Sequence, residues 1–359
     1  MASSITNYLI SAQNITVSYP DDDGGQAIIL DDVALNIREG ELVTVVGPSG
    51  CGKSTMLGLV LGSQFPTTGT VLVQGKKVER VTRDCGIVYQ NYSLLPHLSV
   101  LDNIALGPLL EQTTLPEYFA ALPFIGAQHM MQTIMAPITK ARRLKEHALP
   151  QAGITQQRSF KPSPPGRILE LLKYFKVKRQ ARELAYDLLF DIGLTERDAD
   201  KYPYELSGGM RQRVSIAQAL IMKPKILLMD EPFGALDHAR REEMQDFIHD
   251  QWLKYHLTVL FVTHDLDEAV KVGTRLVCLS QYWTEEDGKP GKGAKIVVDK
   301  KVLGGAEKPS TFAHRPEFQE LVDSVGRAGL NPNNCQPPSR FDLSHEDATK
   351  PSSTSGACA

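Results

Sequence analysis

Gly47, Pro48, Ser49, Gly50, Cys51, Gly52, Lys53 and Ser54, followed by Thr55, satisfy the spacing GxxxxGK[ST]. Each residue type has a physical reason. The glycines let successive backbone N–H groups turn inward around phosphate oxygens, and a helix starting there adds its positive N-terminal end. A lysine in the seventh place reaches the β- and γ-phosphates of a nucleotide, and the serine hydroxyl after it can coordinate Mg²⁺. The pattern lies directly between an apolar run, ELVTVVG, and an apolar helical stretch, MLGLVLG, which is the context it needs. A loop of this kind works with a second strand that brings carboxylates to the metal. The run Ile226-Leu-Leu-Met-Asp230-Glu231-Pro232 supplies one. Neighbouring residues on an extended chain point in different directions, so Asp230 can face Mg²⁺ while Glu231 faces an attacking water.

The elements that must position these groups follow from the hydropathy pattern. Residues 8–46 read as β structure with a turn-rich break at 20–25, and GTVLVQG and CGIVYQ read as further short strands. Ala181, Leu184, Ala185, Leu188, Leu189 and Ile192 recur at helical spacing and predict a helix over 180–192, with Gly193 as its cap. A second helix is expected over 210–222, then the strand KILLMD. A helix presenting Met244, Phe247, Ile248, Trp252 and Tyr255 on one face follows, and then the strand LTVLFVTHD. This βαβ alternation predicts a core built on a parallel sheet.

One further motif narrows the class. Leu206-Ser207-Gly208-Gly209-Met210-Arg211-Gln212-Arg213 resembles the signature motif of ABC (ATP-binding cassette) ATPases, with Met210 where the family usually has Gln. Ser207, Gly208 and Gly209 open a helix, so free N–H groups and a hydroxyl can meet phosphate. The resemblance implies that this turn binds the γ-phosphate of ATP held by the P-loop of a second subunit. Other family elements occur in order. Tyr19 matches the aromatic that stacks on adenine, and Gln90 matches the glutamine that senses Mg²⁺ and faces the membrane subunit. Ala235-Leu236-Asp237 matches the D-loop, which puts Asp237 at the nucleotide interface between subunits. His264, closing LTVLFVTHD, matches the switch histidine on the γ-phosphate.

The likeness covers residues 8–108 and 178–280. It implies an α/β P-loop NTPase of ABC ATPase fold, with a parallel-sheet core, an antiparallel β subdomain and a helical subdomain. ATP and Mg²⁺ are the implied cofactors, with catalytic roles for Glu231, His264 and Gln90 and metal contacts from Ser54, Gln90 and Asp230. The implied partners are multispan permease subunits, a second ATPase subunit (identical or a close paralogue) and, through the permease, an extracytoplasmic solute-binding protein. The expected place is the cytoplasmic face of the cell membrane. LLPHLSVLDNIALG, DEPFGALD and LFVTHDLDEAV resemble importer ATPases, most of all the nitrate, sulfonate, taurine and bicarbonate uptake group. Motors for glycine betaine, polyamines or urea-like solutes, exporter motors and non-transport ABC ATPases are the alternatives.

Composition agrees with this reading. The 359 residues suffice for one substantial core, and 42% hydrophobic with 23% charged residues is ordinary for a globular protein. A net charge of −3 gives no basicity pointing to nucleic acid. The N-terminal residues lack the pattern of a signal peptide, and no stretch reads as a membrane span. Cys51, Cys85, Cys278, Cys335 and Cys358 form no CxxC pair, as suits a reducing compartment.

Two regions depart from the family. An insertion of helical character is expected at about 108–177. Within it residues 118–139 lack any charged side chain, and basic runs lie at 140–145 and 173–182. That apolar patch reads as helices packed on the cassette, or as a surface for the permease or lipid. After the ATPase domain, 1–280, residues 281–330 read as a small extension containing a hairpin and a short helix. Residues 331–359, rich in Pro, Asn, Ser and Asp, read as a disordered tail.

Overall fold

The computed structural model describes residues 8–21, 25–112, 164–234, 236–302 and 307–349, with the side chains of 164–172 excepted. The chain forms two compact units, Met1–Ser93 with Lys223–Ala359, and Leu94–Met222.

The first unit carries two sheets. Strands β1 (Ile10–Pro20), β2 (Gln26–Ile37), β4 (Thr68–Val73) and β5 (Lys76–Lys77) form an antiparallel sheet in the order β2-β1-β4-β5. The larger sheet contains β3 (Leu42–Val46), β6 (Cys85–Val88), β7 (Ile226–Asp230), β8 (Thr258–Thr263), β9 (Arg275–Ser280), β10 (Lys295–Lys301) and β11 (Asp342–Leu343). Its order is β11-β10-β9-β3-β8-β7-β6, and the stretch from β9 to β6 is parallel throughout. Strands buried on both faces must be apolar almost without interruption. LVTVV and TVLFVT meet that demand, since every residue of β3 and β8 is buried. The polar members are satisfied internally: Thr44 Oγ1 donates to Ala269 O at 2.8 Å.

Three helices of this unit frame the strand ends. Helix α1 (Lys53–Leu61) follows β3 directly. Further on come α6 (His238–Tyr255), capped by Asp237, and α7 (Leu266–Val272), capped by Asp265. In the second unit, α2 (Val100–Ile104), α3 (Leu106–Gln112), α4 (Pro164–Asp191) and α5 (Gly208–Leu220) pack together. Buried Asn103 stitches the turn before α2, donating to the carbonyls of Leu95, Leu98 and Ser99 and accepting from Leu95 N. Part of the basic run at 173–182 is engaged within this unit, because Lys178 and Arg182 lie 3.2 and 2.8 Å from the Asp102 carboxylate. The charge-free segment 118–139 and the basic run 140–145 lie outside the described residues. Among the described residues no helix is long and apolar enough to cross a membrane.

The C-terminal region differs from its sequence reading. A boundary at 280 and a disordered tail from 331 were the expectations. Instead β10 pairs antiparallel with β9, and β11 lies parallel to β10 through Val298↔Asp342 and Asp299↔Leu343. The hairpin partner of β10 is therefore the core strand β9, and residues 281–294 are the connection. The end of the described chain is pinned by His345 N donating to Asp299 O at 2.9 Å and by Arg38 pairing with Glu346 and Asp347 at 2.6 and 2.8 Å. Local composition misleads here because the partners of residues 342–347 lie far away in sequence. The short helix expected from HRPEFQELVDSV is present as α9 (Pro316–Val325), preceded by α8 (Pro309–Phe312). Phe312, Phe318 and Val325 share one apolar cluster with Ala269 and Val270 of α7 and with Val46 at the end of β3.

Candidate functional site

In an open parallel sheet, ligands bind beyond the carboxyl ends of the strands. Here those ends deliver, in spatial order, the loop after β3, His264 after β8, Asp230 and Glu231 at the end of β7, and Gln90 two residues past β6. Four separate stretches of sequence thus meet along one edge.

The loop from β3 into α1 is shaped by close approaches that exclude side chains. A Cβ on Gly47 would stand 2.1 Å from Leu279 O, and one on Gly52 would stand 2.6 Å from Leu30 Cδ2. Gly52 is also the left-handed N-cap of α1, with φ 94° and no side-chain hydrogen bond to the helix. The first amides of α1 therefore receive no side-chain cap from the residue before them, the arrangement that suits an anion. Buried Lys53 sends its ammonium back across the loop, with Nζ donating to Gly47 O at 2.8 Å and Pro48 O at 2.9 Å. Cys51 is buried beside it, and burial pushes its thiol up, against the pull of Lys53. This thiol is packing rather than a nucleophile.

Ser54 Oγ donates to Asp230 Oδ1 at 3.1 Å, so the hydroxyl and carboxylate singled out in the sequence meet. Burial raises the Asp230 carboxyl above its ordinary value, with the Ser54 hydrogen bond pulling the other way and the neighbouring Glu231 charge adding to the rise. Glu231 has φ +45°, and its N–H donates to Val262 O at 2.9 Å. A non-glycine residue in this region costs roughly 1–2 kcal/mol. The kink turns the Glu231 carboxylate away from the strand line, and Oε2 stands 3.0 Å from His264 Nδ1. Gln90 joins the same corner: its Nε2 lies 2.9 Å from where a Cβ on Gly234 would be, so glycine leaves room for the carboxamide.

The remaining residues are placed as follows. Tyr19 is the penultimate residue of β1, opposite Ala27 of β2, the strand whose Ile29 and Leu30 flank Gly52, and 44% of its surface is exposed. Its hydroxyl donates to Gln64 Oε1 at 3.4 Å. Asp237 caps α6 by accepting from Arg240 N at 3.0 Å. Ser207, Gly208 and Gly209 belong to the helical unit, where Ser207 is the N-cap of α5 and its Oγ accepts from Met210 N at 3.3 Å.

Sequence reasoning missed the support of His264. Thr263 Oγ1 donates to buried Glu268 Oε2 at 2.7 Å and accepts from Asp265 N at 3.0 Å, locking the residues on both sides of the histidine. The visible signal was the spacing Asp265-x-x-Glu268, that of a helix start, where Asp265 Oδ1 accepts from Glu268 N.

These features agree with comparison to known proteins. Residues 30–234 match the family model described as ABC transporter. The chain belongs to that family, and it is an ATP-binding transport ATPase. It is 34% identical over 275 residues to the bicarbonate transport ATP-binding protein CmpD of Synechocystis sp., covering 77% of this chain and 75% of that one. It is 34% identical over 266 residues to the sulfate/thiosulfate import ATP-binding protein CysA of Pseudomonas aeruginosa, covering 73% of this chain and 63% of the relative. Among solved structures it resembles a dimeric post-hydrolysis state of the ATP-binding cassette MJ0796 bound to ADP and Pi. That match has TM-score 0.52 and 27% identity over 82% of this chain and 99% of that one.

Proposed function

We propose that this chain is the ATP-hydrolysing motor of an importer for small anions of the nitrate, sulfonate, taurine and bicarbonate kind. It works as one of two such subunits beneath a multispan permease at the cytoplasmic face of the cell membrane, fed by an extracytoplasmic solute-binding protein. The observation that carries the ATPase reading is the convergence of the Gly47 loop, Asp230, Glu231, His264 and Gln90 on one sheet edge. Relatives named for bicarbonate and for sulfate/thiosulfate transport support an anionic solute.

In this reading the unsubstituted amides of the loop and Lys53 hold the β- and γ-phosphates of ATP, and Tyr19 stacks on adenine. Ser54 Oγ and Asp230 Oδ1, 3.1 Å apart, are hard oxygen donors that fit Mg²⁺, and Gln90, on the neighbouring strand end by Gly234, would add a third. When bound, Mg²⁺ neutralises charge on the phosphates. Glu231 accepts hydrogen bonds from the attacking water and orients it in line with the γ-phosphate. His264, held against Glu231, steadies the γ-phosphate oxygens. Ser207, Gly208 and Gly209 of the second subunit close over the same phosphate, and Asp237 lies at that contact. Catalysis of this kind is mostly positioning and charge stabilisation.

The test combines turnover with uptake. The purified chain is expected to hydrolyse Mg-ATP. Cells lacking it should lose uptake of at least one of labelled bicarbonate, nitrate, sulfate or taurine and regain it with the wild-type gene but not with Glu231→Gln. Undiminished uptake of all four by the deletion strain would overturn the anion assignment.

A further inference from the structure

One guanidinium ties the D-loop to Asp265, which follows the switch histidine, and to Glu268, which holds the residue before it. Arg241, one turn into α6, sends Nη2 back to the carbonyl of Leu236 at 3.4 Å. Its Nη1 lies 3.1 Å from Asp265 Oδ2 and its Nε 3.4 Å from Glu268 Oε1. Glu268 is buried and Asp265 about two-thirds covered, so these are not freely solvated pairs. Burial pushes the Glu268 carboxyl up, and the hydrogen bond from Thr263, Arg241 and His264 oppose that rise. Glu268 in turn holds Thr263 at 2.7 Å, and Thr263 holds the amide of Asp265. The chain of contacts runs from Leu236 through Arg241 to Asp265 and Glu268 and on to Thr263, so the residues on either side of exposed His264 are both held. Both supporting helices are braced from outside. Ser310 donates through N and Oγ to Asp246 of α6 at 3.0 and 2.7 Å, and Phe318 packs in one cluster with Ala269 and Val270 of α7.

We infer that Arg241 is a positioning residue that couples the D-loop at Asp237 to His264, so that engagement of Asp237 by a second subunit is transmitted to the γ-phosphate site. This rests on the ATPase reading above. A planar fork suits the task, since it grips a carbonyl and two carboxylates at once in a fixed geometry, which a single ammonium cannot do. Its guanidinium is engaged by Leu236, Asp265 and Glu268 and not by the Gly47 loop. Its removal should impair turnover while leaving nucleotide binding to the Gly47 loop.

The experiment is steady-state ATP hydrolysis by the purified full chain, with thermal unfolding measured alongside. Arg241→Met is expected to lower kcat about a hundredfold, the scale of a 1 Å misplacement of a reacting group. KM should stay within about twofold, as for loss of an interaction made only in the transition state. Arg241→Lys should recover less than about a tenth of the loss. Glu268→Gln keeps the volume and the Thr263 contact while weakening the ion pair, and should lower kcat by roughly tenfold, so the idea stays testable if Arg241→Met folds poorly. In a double-mutant cycle, Asp237→Ala should add less than about twofold on top of Arg241→Met, because the link is already cut. The inference is overturned if Arg241→Met retains more than half of kcat, if kcat falls only in proportion to the unfolded fraction, or if the two substitutions multiply independently. A wild-type chain that does not hydrolyse ATP would sink the ATPase reading instead, a separate result.

Discussion

The molecule opens two helices at glycine-rich turns, and the two are built differently. At α1 the cap is Gly52, left-handed and without a side chain, wedged against Ile29 and Leu30, with Lys53 buried behind it. At α5 the cap is Ser207, an exposed residue whose own hydroxyl accepts from Met210 N. The first turn has no side chain capping its amides and is fixed by tertiary contacts at Gly47 and Gly52. The second satisfies itself and is fixed mainly by its own helix, with Arg211 Nη1 tying it to Leu206 O at 3.0 Å. The turn proposed to hold the nucleotide is built against a core, whereas the one proposed to close over it is a surface element.

This contrast predicts a graded set of effects. Lys53→Ala removes a buried ammonium that bridges Gly47 O and Pro48 O, and should depress both nucleotide affinity and turnover, leaving less than about a thousandth of the activity. Equilibrium binding of a fluorescent ATP analogue and phosphate release check it. A variant that still turns over ATP would remove the distinction between a core-built turn and a surface one. Glu231→Gln should lower kcat by roughly 10²–10⁴-fold, the range for loss of a positioned base, while ATP binding persists. Size-exclusion chromatography should then show an ATP-dependent dimer. Normal hydrolysis would reassign the base.

Ser207→Ala sharpens the comparison, because it should spare what the Gly47 loop does alone. Nucleotide affinity of the dilute chain should be unchanged, while turnover falls about tenfold with the loss of one phosphate hydrogen bond. The lost cap should lower stability by about 1 kcal/mol. Equal loss of affinity in the dilute chain would mean that this turn also serves nucleotide held by the same copy.

The sequence was most informative where function demands contiguous residues. The Gly47 loop and the pair Asp230–Glu231 each sit at the end of an apolar strand, and both the strand and the motif are local signals. The convergence of Gln90 and His264 on that edge became legible only through family likeness, because nothing local to CGIVYQ or LTVLFVTHD states that β6 and β8 flank β7. Arg241, Thr263 and Glu268 were invisible for the same reason, since their meaning is a set of distances between two helices and the end of β8. The C-terminal region misled in the other direction. Residues 342–347 have the composition of a tail, yet they complete the sheet beside β10 and neutralise Arg38. Order there comes from partners about 40 and 300 residues away, which composition does not register.

The smallest expected effect concerns two acids, one from each unit, whose surroundings push them in opposite directions. Asp198, in the turn before the signature motif, is held down to about 2, first by the hydrogen bond from Lys201 and next by that from Thr195. Asp230 is held above the usual carboxylate range, first by burial. For Asp198 the folded value lies below the unfolded one, about 3.9. Its contribution is therefore fully present above that pH and is lost as the pH falls towards 2. For Asp230 the folded state holds its proton longer than the unfolded chain does. Stability then falls as the pH rises through the window just above the ordinary carboxylate value, and the whole penalty is present at neutral pH. Asp198→Asn should accordingly lower Tm at pH 7, with the difference closing as the solution is acidified. Asp230→Asn should raise Tm at pH 7, lose that advantage in acid, and fail to hydrolyse ATP. Thermal unfolding of both variants between neutral and acidic pH decides it. A destabilised Asp230→Asn at pH 7 would mean that the carboxylate is favoured by its surroundings, and that this corner is no more strained than the helical unit.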